Sequence, residues 1–387
     1  MIDIYLLDKD KNKINVIDNY KSLIWASRYN EDGDCEVMIN ATFKNFEMIK
    51  EGTYLAREDD DMICRIEKIQ LLTDEEEGDY LIITGYDIKK ILSQRIIWQQ
   101  TNFEGLVEDY IRKLIIDNII EPIIQERTID KFILENKNGF TEEIKQQVTY
   151  DNLEEKIQLL TKKYNWGYKV SVDDDKNFVF SLYKGKDRSM FVVFSHNYEN
   201  ISSSEYSENI TNIKNVVLTA GEGEGSNRTK NVVGDGIGLD RYELYVDARE
   251  ISKSIGYDEL LQNYPGGKEA KINGILYYQY ENVNVAILTK DDEGEVQTVE
   301  LTDAIYDKSL ESKGLEELAN HKSVKIFKGS VEPNQSFIYK KDYFLGDIVT
   351  VENEFGISAK ARIVEIIEKD DDAGYGIEPI FEYLEEF

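Results

Sequence analysis

Two stretches at opposite ends of the chain share one grammar, and that repetition limits the fold more than any single motif. Near the N-terminus, Gly52-Thr53-Tyr54-Leu55-Ala56-Arg57-Glu58 enters the acidic turn Asp59-Asp60-Asp61 and continues as Met62-Ile63-Cys64-Arg65-Ile66-Glu67-Lys68-Ile69. A second acidic turn, Asp74 to Gly78, then leads to Tyr80-Leu81-Ile82-Ile83-Thr84-Gly85-Tyr86. Near the C-terminus, Gly346-Asp347-Ile348-Val349-Thr350-Val351-Glu352 passes through a turn to Ala361-Arg362-Ile363-Val364-Glu365-Ile366. The acidic turn Lys369 to Gly374 follows, then Gly376-Ile377-Glu378-Pro379-Ile380-Phe381-Glu382-Tyr383. In both copies an R-I-x-x-I run follows a hairpin turn and precedes an acid-rich one, with the apolar alternation of half-buried strands. Chance likeness between strand-turn-strand segments is one reading. Two related β domains in one chain is the other.

Between these ends the apolar period changes from two to helical spacing. Thr101-Asn102-Phe103-Glu104 has capping-box form and predicts a helix with Phe103, Leu106, Val107, Tyr110, Ile111, Leu114 and Ile115 on one face. A second helix is predicted from Asp151, with Glu154 at its third position and Leu153, Ile157, Leu160 and Tyr164 apolar, stopping near Asn165-Trp166-Gly167. Their apolar faces call for a small sheet, which Gly167–Val172 and Phe178–Tyr183 supply around the Asp173-Asp174-Asp175 turn. Weaker signals follow: short helices at Tyr257–Asn263 and Gly314–His321, and a hairpin of Val283–Thr289 with Val296–Leu301. The expectation is an α+β, multidomain chain. Its parts are a first β-barrel-like domain at 1–98, an α+β domain at 99–190, a second β-barrel-like domain from 191–250 and 324–387, and an inserted α/β segment at 251–323.

At 387 residues the chain exceeds one ordinary core, so two to four domains are expected. Four prolines and no Ser/Pro-rich stretch leave no floppy linker between them. The formal net charge of −30 excludes broad electrostatic affinity for nucleic acid, because such binding needs Lys and Arg to neutralise phosphates. No run approaches the roughly 18–20 apolar residues that span a bilayer. The start, MIDIYLLDKDKNK, reads as a strand and turn rather than a signal peptide. Cytoplasmic synthesis without a membrane anchor is therefore expected. Cys35 and Cys64 each occupy the apolar phase of an alternating run, which predicts buried free thiols.

The stretch from Asn215 to Glu250 imitates a phosphate-binding loop. Glu222 and Glu224, however, sit between Gly221, Gly223 and Gly225, and two carboxylates there repel a phosphate. The second cluster, Gly234-Asp235-Gly236-Ile237-Gly238, also carries an acid and lacks both the P-loop Lys-Ser/Thr pair and GxGxxG spacing. Tyr242, Leu244 and Val246 then alternate with Glu243, Tyr245 and Asp247 as a strand. With Arg228 and the Asp240–Arg249 segment, this block resembles a signature of the hub, or tail-tip, proteins of bacteriophage tails and phage-like particles, though Tyr242 stands where many members carry a second Arg. Lys341 to Val349 resembles that family's Tyr/Leu-Gly-Asp-x-Val segment leading to its C-terminal barrel.

The resemblance implies a homotrimeric structural hub at the tip of a virion or phage-like tail. It implies contacts with its own copies, a tail tube or distal tail protein, a spike or tip protein, and a tape-measure protein. A trimer of two-barrel subunits presents six similar units to a six-fold tube and three-fold symmetry on its other face. The glycines would set chain paths. Arg228, Arg241 and Arg249 are candidates for inter-subunit or inter-domain ion pairs, and Gly221, Gly223, Gly225, Gly346 and Asp347 are structural or interface candidates.

Catalytic chemistry finds little support. His196 and His321 lie far apart with no partners at metal spacing, and His196 after Ser195 reads as a strand-end turn rather than a nucleophile's base. The triplets Asp59–Asp61, Asp173–Asp175 and Asp370–Asp372 lack the calcium-loop pattern and fit hairpin turns, as does Asp291-Asp292-Glu293-Gly294. With 76 acids, carboxylate pairs alone do not signal a glycosidase. Tyr277-Tyr278-Gln279-Tyr280 suits an interface patch or a strand with one buried face. No enzyme activity, cofactor or metal is expected. The rival readings are a tail-associated cell-wall hydrolase and a host-receptor-binding module. Both are disfavoured because the chain stops at Phe387, soon after its last predicted strand, leaving no room for an appended domain or head.

Overall fold

The computed structural model describes residues 2–74, 78–321, 324–331, 336–352, 355 and 358–384. Seven strands open the chain: β1 (Ile4–Leu7), β2 (Lys13–Ile17), β3 (Ser22–Arg28), β4 (Asp34–Asn40), β5 (Tyr54–Arg57), β6 (Ile63–Asp74) and β7 (Gly78–Asp87), with a short helix, α1 (Phe43–Met48), after β4. They pair in the order β3-β4-β7-β6-β5-β1-β2, every neighbour antiparallel. Their inward residues, among them Trp25, Val37, Leu55, Ile66 and Ile83, form one core. Cys35 and Cys64 lie in it as free thiols. Glu75, Glu76 and Glu77 of the predicted acidic turn lie outside the described residues.

The next region holds β8 (Thr101–Leu106), α2 (Val107–Ile115), β9 (Phe132–Leu134), β10 (Glu143–Val148), α3 (Leu153–Tyr164), β11 (Gly167–Val172) and β12 (Phe178–Tyr183). The capping-box segment is thus a strand, and the helix begins only at Val107. Thr101 to Leu106 pair along the whole of β10, and that ladder outweighs a local capping signal already weakened by Gly105 inside the proposed helix. The second helix starts one residue later than predicted: Asn152, not Asp151, caps it, accepting from Glu154 N at 3.0 Å and Glu155 N at 3.3 Å. It ends on left-handed Asn165 at φ 55°. β11 and β12 form the predicted hairpin, with β9 added parallel to β12. Tyr110, Leu114, Ile157, Leu160, Trp166 and Tyr168 are packed in the core between helices and sheet.

Then come β13 (Val193–Ser195), β14 (Ile201–Asn209), β15 (Val216–Ala220), β16 (Lys230–Gly234), β17 (Glu243–Asp247), α4 (Tyr257–Asn263), β18 (Lys268–Ile272), β19 (Ile275–Tyr280), β20 (Val283–Lys290), β21 (Val296–Leu301) and α5 (Asp303–Ala319). Strands β22 (Val324–Val331), β23 (Ile348–Glu352), β24 (Ser358–Asp371) and β25 (Gly374–Tyr383) close the chain. The short helix expected at Gly314–His321 is the last part of the 17-residue α5. Gly314 looked like a helix start, yet it lies inside α5, where a Cβ would come within 2.3 Å of Thr219 Oγ1. Strands β15, β16 and β17 form a separate three-stranded sheet against α5, whereas the sequence pattern groups residues 191–250 with 324–387. Alternation identifies a strand but does not name its partner. β18 to β21 form a four-stranded meander.

The ends of the chain meet in one 13-stranded sheet. Its C-terminal part runs β14-β22-β25-β24, with β23 and β13 continuing from β24. This order matches β3-β4-β7-β6-β5 strand for strand, and the registers match as well. Arg65 faces Tyr54 on β5 and Tyr86 on β7, while Arg362 faces Ile348 on β23 and Glu382 on β25. Both R-I-x-x-I strands carry a β-bulge just after the shared Ile, between Ile66 and Lys68 and between Ile363 and Glu365. The two groups join through an antiparallel ladder in which Ser22 to Arg28 on β3 pair with Asp371 to Glu365 on β24.

Candidate functional site

At the end of β15 the glycine block turns sharply, and its shape follows from what surrounds each glycine. A Cβ on Gly221 would stand 2.3 Å from the Tyr306 hydroxyl. That hydroxyl accepts from Glu222 N at 2.8 Å and donates to Ile251 O at 3.0 Å, tying the loop to α5. Gly223 takes φ +107°, where a side chain is strained, and Gly225 has open space around it. Glu222 turns its carboxylate to Lys253 N at 3.1 Å.

Arg228 closes the loop. It donates to Gly221 O at 2.8 Å, to Ala220 O, to the Tyr245 hydroxyl at 2.7 Å and to Asp247 at 2.6 Å. Arg249 meets the same Asp247 at 2.7 Å. Hydrogen bonds from Arg249 and then Arg228 hold the Asp247 carboxyl down at about 2. Arg241 stands apart, paired with Glu243 at 2.6 Å. Arg228 is spent on carbonyls, the Tyr245 hydroxyl and Asp247 rather than aimed at an anion.

Gly346 and Asp347 lie elsewhere, where the N-terminal strands, the α+β region and the C-terminal strands converge. Gly346 adopts φ +90°, and a Cβ there would sit 2.2 Å from the Tyr29 ring. The Tyr29 hydroxyl donates to Asn165 O at 3.0 Å, while Arg362 donates to Gly346 O at 2.8 Å and stacks over the Tyr29 ring. Asp347, 3% exposed, accepts from Lys186 N at 2.7 Å, Phe344 N at 3.1 Å and Arg188 Nε at 2.6 Å. Beside it opens a cleft of about 810 Å³ whose walls include Arg28, Asp60, Lys89, Tyr168, Lys340 and Asp347. Three of its cations are engaged with neighbours: Arg28 with Glu365 at 2.8 Å, Lys340 with Asp60 at 2.8 Å, and Lys89 with Arg28 O at 2.9 Å. These pairs tie the N-terminal strands to the C-terminal ones across the cleft.

Sequence reasoning missed the buried ion pairs that join elements. Lys156 on α3 meets Glu316 on α5 at 2.8 Å and 3.0 Å, with Gln146 Nε2 also donating to Glu316. Burial pushes the Glu316 carboxyl up, but Lys156, Lys313 and the hydrogen bond from Gln146 together outweigh it and the net direction is down. Arg57 reaches Glu368 at 2.9 Å across the joint between the two strand groups, where Tyr20 also donates to Asp370 at 2.6 Å. Partners 160 and 311 positions apart leave no local pattern to read. Among the described residues, no His/Cys/Asp/Glu group of three or more could hold a metal ion, and no helix is long and apolar enough to cross a membrane.

Comparison with known proteins bears on this architecture. No curated protein gives a significant match. Among solved structures, the fold is similar to the 43 kDa tail protein of prophage MuSo2 from Shewanella oneidensis, at TM-score 0.54 and 12% identity over 98% of each chain. The tail protein from Neisseria meningitidis MC58 matches at TM-score 0.53 and 12% identity, over 98% of this chain and 96% of that one. Prophage tail protein gp18 from Listeria monocytogenes EGD-e matches at TM-score 0.50 and 13% identity, over 100% and 95%. A model of the family described as Siphovirus ReqiPepy6 Gp37-like protein matches residues 3–381, and the chain belongs to that family of phage tail proteins.

Proposed function

We propose that the chain is the structural hub at the distal end of a phage or phage-like tail. It forms a homotrimeric ring that docks on a six-fold tail tube and offers three-fold symmetry to a spike or tip protein. The observation that supports this most directly is the register-matched repeat: two strand groups with the same order and the same bulge, joined edge to edge in one chain. Three such chains present six similar units around an axis, which is what a symmetry adaptor needs. Membership of a phage tail family is consistent with the same role. The further contacts are a distal tail protein and the tape-measure protein.

Arg228, Arg241, Arg249, Gly346 and Asp347 act in this reading by fixing chain paths, not by chemistry. The net charge of −30 gives the ring an acidic channel wall past which DNA moves without sticking. Light scattering and negative-stain imaging of the purified protein test the reading. A three-fold ring with a central opening is expected, and a stable monomer with a deep cleft would overturn it. Turnover of peptidoglycan, lost on substituting one acidic residue, would install a hydrolase instead.

A further inference from the structure

We propose that the crevice floored by β22, β25 and β24 takes up an acidic peptide segment of a partner protein. The site lies within one chain, so it stands whether or not copies form a ring.

The floor is the face of the C-terminal strands turned away from their core. Phe327, Ile363 and Phe381 belong to that core, and strand alternation turns their neighbours outward. Lys328 on β22 pairs with Ile380 on β25, which pairs with Glu365 on β24. In the next row Ile326 pairs with Glu382, and Glu382 with Arg362. The walls are the C-terminal ends of α3 and α5 and the β3–β4 loop. They enclose a space of about 660 Å³, inside the roughly 300–1,000 Å³ of ordinary ligand pockets.

The cations of this crevice are unusual for the chain. Acids outnumber Lys and Arg by 76 to 46, so a cation is expected to find a carboxylate. Two of them do: Arg28 pairs with Glu365 at 2.8 Å, and Lys162 pairs with Glu31. Three do not: among the described residues, Lys163, Lys328 and Arg362 make no ion pair. Glu205 faces Lys328 across the β14–β22 ladder without pairing with it. Arg362 spends Nη1 on Gly346 O, and its Nε is buried without a partner. Burial pushes the Lys163 ammonium down from its ordinary value, by more than the Glu316 charge lifts it. That is a charge half out of water with no counter-charge beside it. With Glu382 as the remaining acid, five cations face three carboxylates here, against the balance of the whole chain.

Three uncompensated cations call for an anionic ligand, and the walls choose its kind. Phosphate sites are built from backbone N–H groups at helix N-termini. Here both helices present their C-terminal ends, whose carbonyls carry partial negative charge and disfavour a compact dianion. Carboxylates spread along a peptide meet the cations one at a time. Ile326, Val364 and Ile380 then cover the apolar side chains between them. A second copy of this chain fits less well, because each copy carries −30.

The full-length protein is applied to an array of short synthetic peptides with Glu at alternate positions and Leu or Val between, and to the same array with Gln for Glu. Retention by the Glu peptides and not by their Gln counterparts is expected, weakening as salt rises. Lys163→Gln/Lys328→Gln is expected to weaken binding about tenfold or more with an unchanged thermal transition, and Lys328→Arg to preserve it. The proposal is overturned by no retention, by equal retention on the Gln array, or by equal binding of the double variant. Displacement of the peptides by inorganic phosphate overturns it in favour of a small-anion site. Loss of self-association by light scattering in the double variant, with no peptide bound by the native protein, overturns it in favour of a contact between copies.

Discussion

Tyr29 makes Gly346 hard to replace. Its ring fills the space of the missing Cβ, and the backbone there has φ +90°. Gly346→Ala combines overpacking with left-handed strain, so a loss of about 2–4 kcal/mol is expected in chemical denaturation. Glu154 makes a different kind of demand. Its carboxyl is buried against that of Asp32, and burial first, then the hydrogen bond with Asp32, push its pKa well up. An acid that binds its proton more tightly folded than unfolded favours folding at pH values below the ordinary carboxylate range. That contribution is lost as pH rises toward the folded-state value, so stability falls through neutral pH. Glu154→Gln should flatten the decline of Tm between about pH 5 and pH 9; an unchanged slope would refute the assignment. The sequence showed Gly346 only as a structural or interface candidate and Glu154 only as a first-turn helix acid, because what constrains each comes from distant chain.

At the scale of elements, the helices α3 and α5 show what holds the regions together. Lys156 is 1% exposed and Glu316 1% exposed, so removing either strands a charge out of water. Glu316→Ala is expected to cost about 3–5 kcal/mol by urea titration, and Lys156→Met/Glu316→Leu to recover most of it. Asn152→Ala removes the α3 cap and should cost about 1 kcal/mol. The legibility of elements followed their locality. β11, β12, α4 and the β20–β21 hairpin match their sequence signals almost to the residue, since each pairs or coils with its near neighbours. Thr101–Leu106 misled because its partner, β10, is some forty residues away and a non-local ladder overrode a local cap signal.

For the whole molecule, the decisive feature is the joint between the two strand groups. Arg57 is 4% exposed and bonds Glu368 across it, so Arg57→Ala leaves a buried carboxylate without that partner. A loss of about 3–5 kcal/mol is expected, with little relief from added salt because buried pairs are weakly screened. Calorimetry at two ionic strengths would show it, and a strongly salt-dependent loss would argue for a surface pair. The sequence by itself determined the repeat, the acidic character, the buried thiols and most of the short-range elements, because alternation, turn chemistry and charge are written in neighbouring residues. It grouped 216–247 with the last strands, whereas tertiary structure places them in their own sheet under α5. Only the fold decided which edges meet and that β3 joins β24. Strand pairing is made by backbone groups that every residue carries, so its partners are chosen by packing in three dimensions and not by local residue pattern.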